Sequence, residues 1–253
     1  MRIDLNADVG ESFGNYIIGE DDALFKVITS ANIACGFHAG DFTVINKTIQ
    51  AAKENHLSIG AHPGYPDKQG FGRRNLNMSS TEVYEMVVYQ IGALQAFCHI
   101  HHVSLSHVKP HGALYNRSAE DEEIANAIAK AVLDTAPNAI LFGLCNSELL
   151  KAGASLGLKT AGEAFADRKY DDKGRLVGRG QSDALLTDFK EIMEQVENIV
   201  MKNQVVTRSG KMIDINADTL CFHGDGNNVA EIVQKTRKIL EAKNVKVAPL
   251  ERI

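Results

Sequence analysis

The stretch IDLNADVGE at residues 3–11 decides the fold of this chain. Its polar residues Asp4, Asn6 and Asp8 fall at every second position, and apolar residues occupy the positions between them. Because successive side chains of a β-strand point to opposite faces, this alternation predicts a strand with one polar and one apolar face. Buried polar groups need partners, so the polar face is expected to line the inside of a closed barrel. We favour a functional role for Asp8, which lies nearest the end of the strand.

Five further apolar runs end in the same way, with Asp, His, Lys or Glu beside Gly. They read ANIACGFHAGD (31–41), SIGAHPGY (58–65), VKPHGALY (108–115), TAGEAFADRKY (160–170) and LCFHGDG (220–226). The segments between them show the apolar spacing of helices, which we predict at residues 81–101, 120–135, 148–156, 188–202 and 228–243. This alternation of strands and helices predicts an α/β fold, a parallel barrel that occupies residues 1–253 as a single domain.

The composition narrows the class of protein. A hydrophobic content of 44% with 23% charged residues is typical of a globular protein with a core. The net charge of −5, with acids and bases interleaved, offers no broad basic surface to nucleic acid or to an anionic membrane. The chain shows neither a signal-peptide pattern nor an apolar run of about 18 residues. Its four cysteines lack a CxxC pair and fit reduced thiols, so we expect a cytoplasmic protein whose partners are small molecules or proteins.

Strand ends of a (β/α) barrel meet at one rim, so their polar residues are expected to share a pocket. The candidate catalytic residues are Asp8, His38, His62, Lys109, His111, Glu163 and Asp225, and the candidate substrate-binding residues are Asn6, Asp41, Tyr115, Arg168, Tyr170 and Arg179. Two roles are open for Lys109. It either pairs with Asp4 or Glu163, or it clamps a carboxylate or phosphate oxygen of a substrate. Asp4 either pairs with a buried Lys or Arg or has a functional role.

Two segments have weaker patterns. Residues 167–182 are too polar for a packed strand or helix, and they predict a long loop over the rim, with a solvated excursion as the alternative. The histidines between residues 99 and 107 are expected on a solvated surface. The chain has no phosphate-binding loop, no GxSxG elbow and no HExxH motif, and no two histidines share a helix face at ligand spacing. We therefore assign no metal ligand.

Several sequence blocks together resemble the LamB/YcsF family in order along the whole chain. They are DLNADVGESFG, SANIACGFHAGD, GAHPGYPDKQGFGRR, VKPHGALYN, FADRKY and CFHGD. The resemblance implies a distorted (β/α) barrel of the glycoside hydrolase/deacetylase type, with seven or so parallel strands. It also implies the A subunit of a 5-oxoprolinase, which works with B and C subunits to open 5-oxo-L-proline to L-glutamate while ATP becomes ADP and phosphate. ATP is then a co-substrate, no tightly bound cofactor is expected, and a divalent metal is left open.

Under that resemblance the rim residues take expected roles. Asp8, with His38 or His62, activates water. Lys109 and His111 stabilise negative charge on phosphate or on a tetrahedral oxygen, and the expected proton donor to the leaving nitrogen is Glu163 or Asp225. Two alternatives stay open. One is a metal-dependent polysaccharide or amide deacetylase-like hydrolase, and the other is a non-catalytic protein that binds substrate or tethers partners.

Overall fold

The strands of this chain close into a parallel barrel in a computed structural model that describes residues 1–222 and 228–251. In chain order the strands are β1 (Arg2–Val9), β2 (Ser30–Ala34), β3 (Ser58–His62), β4 (His107–Val108), β5 (Ile140–Leu144), β6 (Thr160–Phe165), β7 (Gln204–Val206), β8 (Met212–Asp214), β9 (Thr219–Phe222) and β10 (Lys246–Val247). Strands β1 to β6 and β9 form the ring, which closes where β9 pairs with both β6 and β1. The prediction of about seven parallel strands is confirmed.

Helices cover the outside of the ring. They are α1 (Asp21–Leu24), α2 (Phe42–Glu54), α3 (Ser80–Ile100), α4 (Gly112–Ser118), α5 (Glu122–Thr135), α6 (Glu148–Ser155), α7 (Phe189–Lys202) and α8 (Val229–Ala242). The five predicted helices correspond to α3 and α5 to α8. Helix α3 begins with a capping box, in which the Ser79 hydroxyl accepts from the Glu82 amide and the Glu82 carboxylate accepts from the Ser79 amide. Within the described ranges, no helix is both long and apolar enough to span a membrane.

The alternation in β1 has the predicted result. Ile3, Leu5, Ala7 and Val9 point outward and are buried in the apolar layer between the barrel and its helices. The alternate residues point inward, where Asp4 accepts hydrogen bonds from the hydroxyls of Thr29, Ser30 and Thr219. Those three hydroxyls, rather than a buried Lys or Arg, are therefore the partners of Asp4. Burial raises the pKa of Asp4 despite these hydrogen bonds.

His107 also lies inside the barrel, where its Nε2 donates to Asn32 Oδ1 at 2.7 Å and its ring stacks on Phe142. Gly60 on the neighbouring strand makes room for the ring, since a Cβ at position 60 would lie 2.0 Å from His107 Nε2. The prediction of a solvated surface is wrong at His107, because β4 begins at this residue and turns it inward. His99 is exposed as expected.

The polar segment at residues 167–182 crosses the rim as an irregular loop, and this prediction is confirmed. Short backbone bridges hold it in place, between Arg168 and Leu185, between Tyr170 and Leu176, and between Tyr170 and Thr207. Tyr170 is fully buried under the loop. The alternative of a solvated excursion does not hold for this segment.

Candidate active site

A cavity of about 510 Å³ opens at the carboxyl ends of the barrel strands. Its walls consist of Asp8, His62, Arg73, Lys109, Pro110, His111, Gly112, Tyr115, Asn116, Phe165, Arg168, Leu176, Gly178, Arg179 and Gly180. These residues lie at the carboxyl ends of β1, β3 and β6, follow β3 or β4, or belong to the rim loop. Seven predicted site residues are among them, namely Asp8, His62, Lys109, His111, Tyr115, Arg168 and Arg179. The strand ends therefore converge on one pocket, as expected for a barrel.

Lys109 lies at the floor of the cavity between two carboxylates. Its Nζ is 3.0 Å from Asp8 Oδ1 and 2.9 Å from Glu163 Oε1. Burial alone would lower the pKa of Lys109, but Asp8, the Cys221 thiol and Glu163 raise it well above its usual value. Lys109 therefore carries its charge and faces the cavity with Asp8 as its immediate counter-ion.

Glu163 and Asn6 lie one layer below this floor. Glu163 is fully buried, and its Oε1 also accepts from Asn6 Nδ2 at 2.9 Å. The amide of Asn6 donates as well to Thr219 and accepts from Asn32, so its hydrogen bonds stay inside the barrel. Neither residue belongs to the cavity wall. Glu163 therefore contacts Lys109 from below, and Asn6 bonds inside the barrel. The proton donation predicted for Glu163 and the substrate binding predicted for Asn6 stay predictions.

Three histidines and a glutamate meet beside Asp8. Glu11, His38, His62 and His111 are all buried, and each offers one ligand atom within 4.8 Å of the others. Glu11 Oε1 is 3.5 Å from His38 Nε2 and 3.8 Å from His111 Nδ1. His62 Nε2 lies 2.9 Å from His111 Nδ1 and 3.2 Å from Asp8 Oδ2. This cluster could hold a metal ion, which the spacing of its residues along the sequence did not indicate.

Backbone carbonyls orient two of these rings. His62 Nδ1 is 2.7 Å from the carbonyl oxygen of Lys109, and His111 Nε2 is 2.8 Å from that of Phe71. Because a carbonyl oxygen only accepts, both of these nitrogens carry hydrogen. Burial and the neighbouring histidines lower the pKa of His111 well below its usual value. A neutral His111 therefore presents a lone pair on Nδ1 to the centre of the cluster.

His38 stacks on His111, with ring centroids 3.7 Å apart and an angle of 2° between the planes. Gly72 lets the chain pass close to both rings, since a Cβ at this position would lie 2.7 Å from His38 Cβ and 2.9 Å from His111 Cδ2. Its φ of +62° also favours glycine. Burial, His111 and His62 lower the pKa of His38 well below its usual value, so the ring is neutral at neutral pH.

Comparison with known proteins covers the whole chain. Residues 3–253 match the LamB/YcsF family. The chain belongs to this family. It is 51% identical over 250 residues to the A subunit of 5-oxoprolinase from Staphylococcus aureus strain Newman, and 50% identical to the protein of the same name from strain JH9, with 99% of this chain and 100% of each relative covered. A lactam utilization protein from Thermus thermophilus has a crystal structure that matches with a TM-score of 0.92 and 40% identity, covering 99% of this chain and 100% of that one.

The LamB/YcsF barrel places Asp41 away from the cavity. Its carboxylate accepts hydrogen bonds from the amides of Thr43 and Val44, each at 2.9 Å, at the start of α2. It also accepts from the Gly14 amide at 2.8 Å. These hydrogen bonds hold the pKa of Asp41 below its usual value, and the one from Gly14 makes the largest contribution. Asp41 is therefore the N-cap of α2, and its predicted role in substrate binding stays a prediction.

The two tyrosines predicted to bind substrate, Tyr170 and Tyr115, differ in their position relative to the cavity. The Tyr170 hydroxyl accepts from the Phe165 amide at 2.7 Å, so Tyr170 supports the end of β6 and is not part of the cavity wall. Its predicted contact with substrate is therefore not supported. Tyr115 does line the cavity, and burial and the charge of Glu163 raise its pKa well above its usual value. Tyr115 therefore keeps its proton, and its hydroxyl oxygen is buried on the side of Glu163.

The walls of the cavity in this LamB/YcsF protein are rich in cations. Four of the wall residues are cationic, namely Arg73, Lys109, Arg168 and Arg179. Among the wall residues, only Asp8 carries a carboxylate. Arg168 is held by a 2.5 Å hydrogen bond to the Val177 carbonyl, and burial and Arg179 lower its pKa to about 10, which leaves it charged at neutral pH. The excess of positive charge favours an anionic ligand.

The remaining predicted catalytic residue, Asp225, lies outside the described residues, as does His223. Sequence reasoning missed Glu11, Arg73 and Asn116. Glu11 is the last residue of the IDLNADVGE stretch, and Arg73 belongs to the GFGRR block. Both residues therefore lie in sequence motifs that indicated a functional site. Asn116 lies in α4 beyond the strand end, where local sequence gives no indication of a cavity.

Proposed function

We propose that this chain is the A subunit of an ATP-dependent 5-oxoprolinase that acts in the cytoplasm with B and C subunits. The complex opens 5-oxo-L-proline to L-glutamate and converts ATP to ADP and phosphate. The observation that carries this proposal is the identity of 51% along the full chain to a protein named as the A subunit of 5-oxoprolinase. The likeness to a lactam utilization protein supports it, because 5-oxoproline is a five-membered lactam.

The cavity supports a substrate of this kind. 5-Oxoproline carries a carboxylate, and a phosphorylated intermediate would carry further negative charge. Both would be attracted by the four cationic side chains of the wall, Arg73, Lys109, Arg168 and Arg179. The volume of about 510 Å³ is within the range of roughly 300–1,000 Å³ for small-molecule sites.

The chemistry explains why ATP is needed. Amide resonance makes the lactam carbonyl a poor electrophile, and its nitrogen is a poor leaving group. Transfer of the γ-phosphoryl group of ATP to the amide oxygen produces an imidate-like phosphate and ADP. Water then adds to the former carbonyl carbon, the C–N bond breaks as the nitrogen takes a proton, and a second water hydrolyses the resulting acyl phosphate to glutamate and phosphate. Since the chain has no phosphate-binding loop, the partner subunits perform or complete the phosphorylation.

Within this scheme Asp8 is the base that takes a proton from water and returns it to the leaving nitrogen. The ammonium of Lys109 and the amide of Asn32 hold the Asp8 carboxylate, at 3.0 and 2.8 Å, and His62 Nε2 lies 3.2 Å from it. The ammonium of Lys109 stabilises negative charge that develops on phosphate or on the tetrahedral carbon's oxygen. Glu163 keeps Lys109 in place from below.

The experiment that tests this function measures glutamate released from 5-oxoproline in the presence of ATP. The chain is assayed alone and then reconstituted with its B and C subunits. We expect activity in the mixture only, together with ADP and glutamate in equal amounts. A mixture that demonstrably assembles but releases no glutamate would contradict the proposal.

The cluster of Glu11, His38, His62 and His111 favours one other candidate, a metal-dependent deacetylase-like hydrolase. Such an enzyme needs neither ATP nor partner subunits. Release of acetate from N-acetylated sugars or amides by the chain alone, abolished by a chelator, would favour this candidate. The same protein would then be inactive toward 5-oxoproline in the reconstituted mixture.

A further inference from the structure

We propose that Glu11, His38, His62 and His111 bind one divalent transition-metal ion of the zinc class beside Asp8. The four side chains are buried, and their ligand atoms lie within 4.8 Å of one another. The inference goes beyond the reaction proposed above. It rests on the positions and hydrogen bonds of these four side chains and holds whichever substrate enters the cavity.

The first observation concerns two nitrogens that face each other. His62 Nε2 and His111 Nδ1 are 2.9 Å apart, and the opposite nitrogen of each ring donates to a backbone carbonyl, that of Lys109 for His62 and that of Phe71 for His111. In their uncharged form, two rings held in this way point lone pairs at each other. A cation between them removes that repulsion. Metal-binding histidines commonly donate their second nitrogen to a carbonyl, as both rings do here.

The second observation concerns His38. Its side chain is completely buried, and neither ring nitrogen makes a hydrogen bond to any residue that the structure describes. Buried polar groups almost always have a partner, because leaving one unsatisfied costs its full desolvation. Nε2 of this ring lies 3.5 Å from Glu11 Oε1, on the side of the cluster. A metal ion would supply the missing partner.

The distances and ligand types fit zinc. Four ligands at about 2.0–2.2 Å around a tetrahedral zinc are roughly 3.4 Å from one another. Three of the six separations in the cluster are 2.9, 3.5 and 3.8 Å, on both sides of that value, and all six are within 4.8 Å. Imidazole and carboxylate are ligands that zinc accepts, and the Glu11 carboxylate adds negative charge. The parallel stack of His38 on His111 requires one ring to tilt before both can coordinate in their planes, and His38 has no hydrogen bond within the described residues to oppose this.

The competing explanation is that a proton on His62, and not a metal ion, accounts for the short distance between His62 and His111. An imidazolium at His62 would donate from Nε2 to Asp8, which is 3.2 Å away, or to His111, and no metal would be needed. This alternative leaves His38 without a partner among the described residues, so it accounts for only one of the two observations. It predicts that the purified chain has no stoichiometric affinity for zinc.

The test uses the untagged full-length chain, freed of metal with a chelator and dialysed. Zinc chloride is titrated by calorimetry, bound zinc is counted after gel filtration, and cobalt chloride replaces zinc for visible spectroscopy. We expect one zinc per chain and the absorption bands of cobalt with nitrogen and oxygen ligands. A folded chain that binds no zinc above background would overturn the proposal. No substrate, ATP or partner protein is used, so a failure of the proposed reaction would not be mistaken for a failure of this site.

Two variants locate the ion. Glu11→Gln and His111→Gln are expected to weaken zinc binding by about 100-fold or more, because the loss of an outer-shell partner alone costs about 10–100-fold. His99→Gln removes an exposed histidine and is expected to leave the affinity unchanged. Equal affinity in all three variants would place the ion elsewhere and overturn the proposal. If either site variant fails to fold, as judged by circular dichroism, the stoichiometry and cobalt spectrum of the wild-type chain decide.

Discussion

Lys109 and Asp8 form an ion pair across the interior of the barrel, with Nζ and Oδ1 3.0 Å apart. Lys109 directly follows β4 and Asp8 lies in β1, and these strands are not neighbours in the ring, so the pair spans the interior instead of joining adjacent strands. Only 2% of the Lys109 side chain and 10% of the Asp8 side chain are exposed. Screening by water is therefore weak, and each charge depends on the other. Stability is coupled to this pair, and so is the role proposed for Asp8.

Replacing the Asp8 carboxylate is expected to stop turnover while the fold is kept. In Asp8→Asn the amide keeps the size of the side chain but cannot accept a proton from water, so kcat should fall by about 10²–10⁴-fold in the reconstituted complex. Circular dichroism checks the fold. The matched control is Asp22→Asn, an exposed aspartate, which should keep wild-type kcat. Wild-type turnover in Asp8→Asn would remove this residue from the reaction.

Removal of the Lys109 charge is expected to destabilise the protein. Lys109→Met leaves Asp8 and Glu163 buried without their shared cation, and breaking a buried ion pair typically costs about 3–5 kcal/mol. The free energy of unfolding in urea measures the loss. Lys130→Met is the control, since Lys130 pairs with Asp134 at the surface and should cost no more than about 1 kcal/mol. Equal costs in the two variants would mean that the buried pair contributes little.

Asp41 distinguishes a helix cap from a binding residue. Asp41→Ala should lower the free energy of unfolding by about 1 kcal/mol, because the amides of Thr43 and Val44 lose their acceptor. Asp41→Ser should recover much of this, since serine also caps helices. KM for 5-oxoproline should stay at the wild-type value in both variants. A several-fold rise in KM without any loss of stability would return Asp41 to the substrate site.

Asp21 should make the folded state less stable as pH rises. Its Oδ2 accepts from the Gly10 amide at 2.8 Å, but burial raises its pKa from 3.8 to about 6. Between these two values the folded chain binds more protons than the unfolded chain, so the contribution of Asp21 to stability falls as pH increases through this window. Asp21→Asn removes that dependence.

The measurement is the difference in unfolding free energy between wild type and Asp21→Asn, taken in urea from about pH 4 to about pH 7. The wild type should lose stability relative to the variant along this series. A constant difference would show that Asp21 has an ordinary pKa in the folded chain. Asp22→Asn should reduce this loss only slightly, because burial contributes more than the charge of Asp22 to the raised pKa of Asp21.

Local patterns predicted much of the fold because their physics is local. The period of two in β1 reflects the pleat of a strand, and the Ser79 and Glu82 pair reflects the free amides at a helix start. The same kind of signal is present at Asp41, an aspartate directly before a helical pattern, and it indicates the cap that α2 requires. Substrate binding by Asp41 does not follow from this local pattern and stays a prediction.

The sequence alone determined that strand ends carry the polar residues and that β1 turns Asp4, Asn6 and Asp8 to one side, because side-chain direction in a strand follows from backbone geometry. The tertiary structure decided how deeply each of these residues is buried and which side chains it contacts. It placed Asp8 in the cavity wall and Glu163 beneath it, and it brought Glu11 to His38, His62 and His111. These outcomes depend on the register of paired strands and on the closure of the ring, which join residues far apart in the chain and leave no period in the sequence.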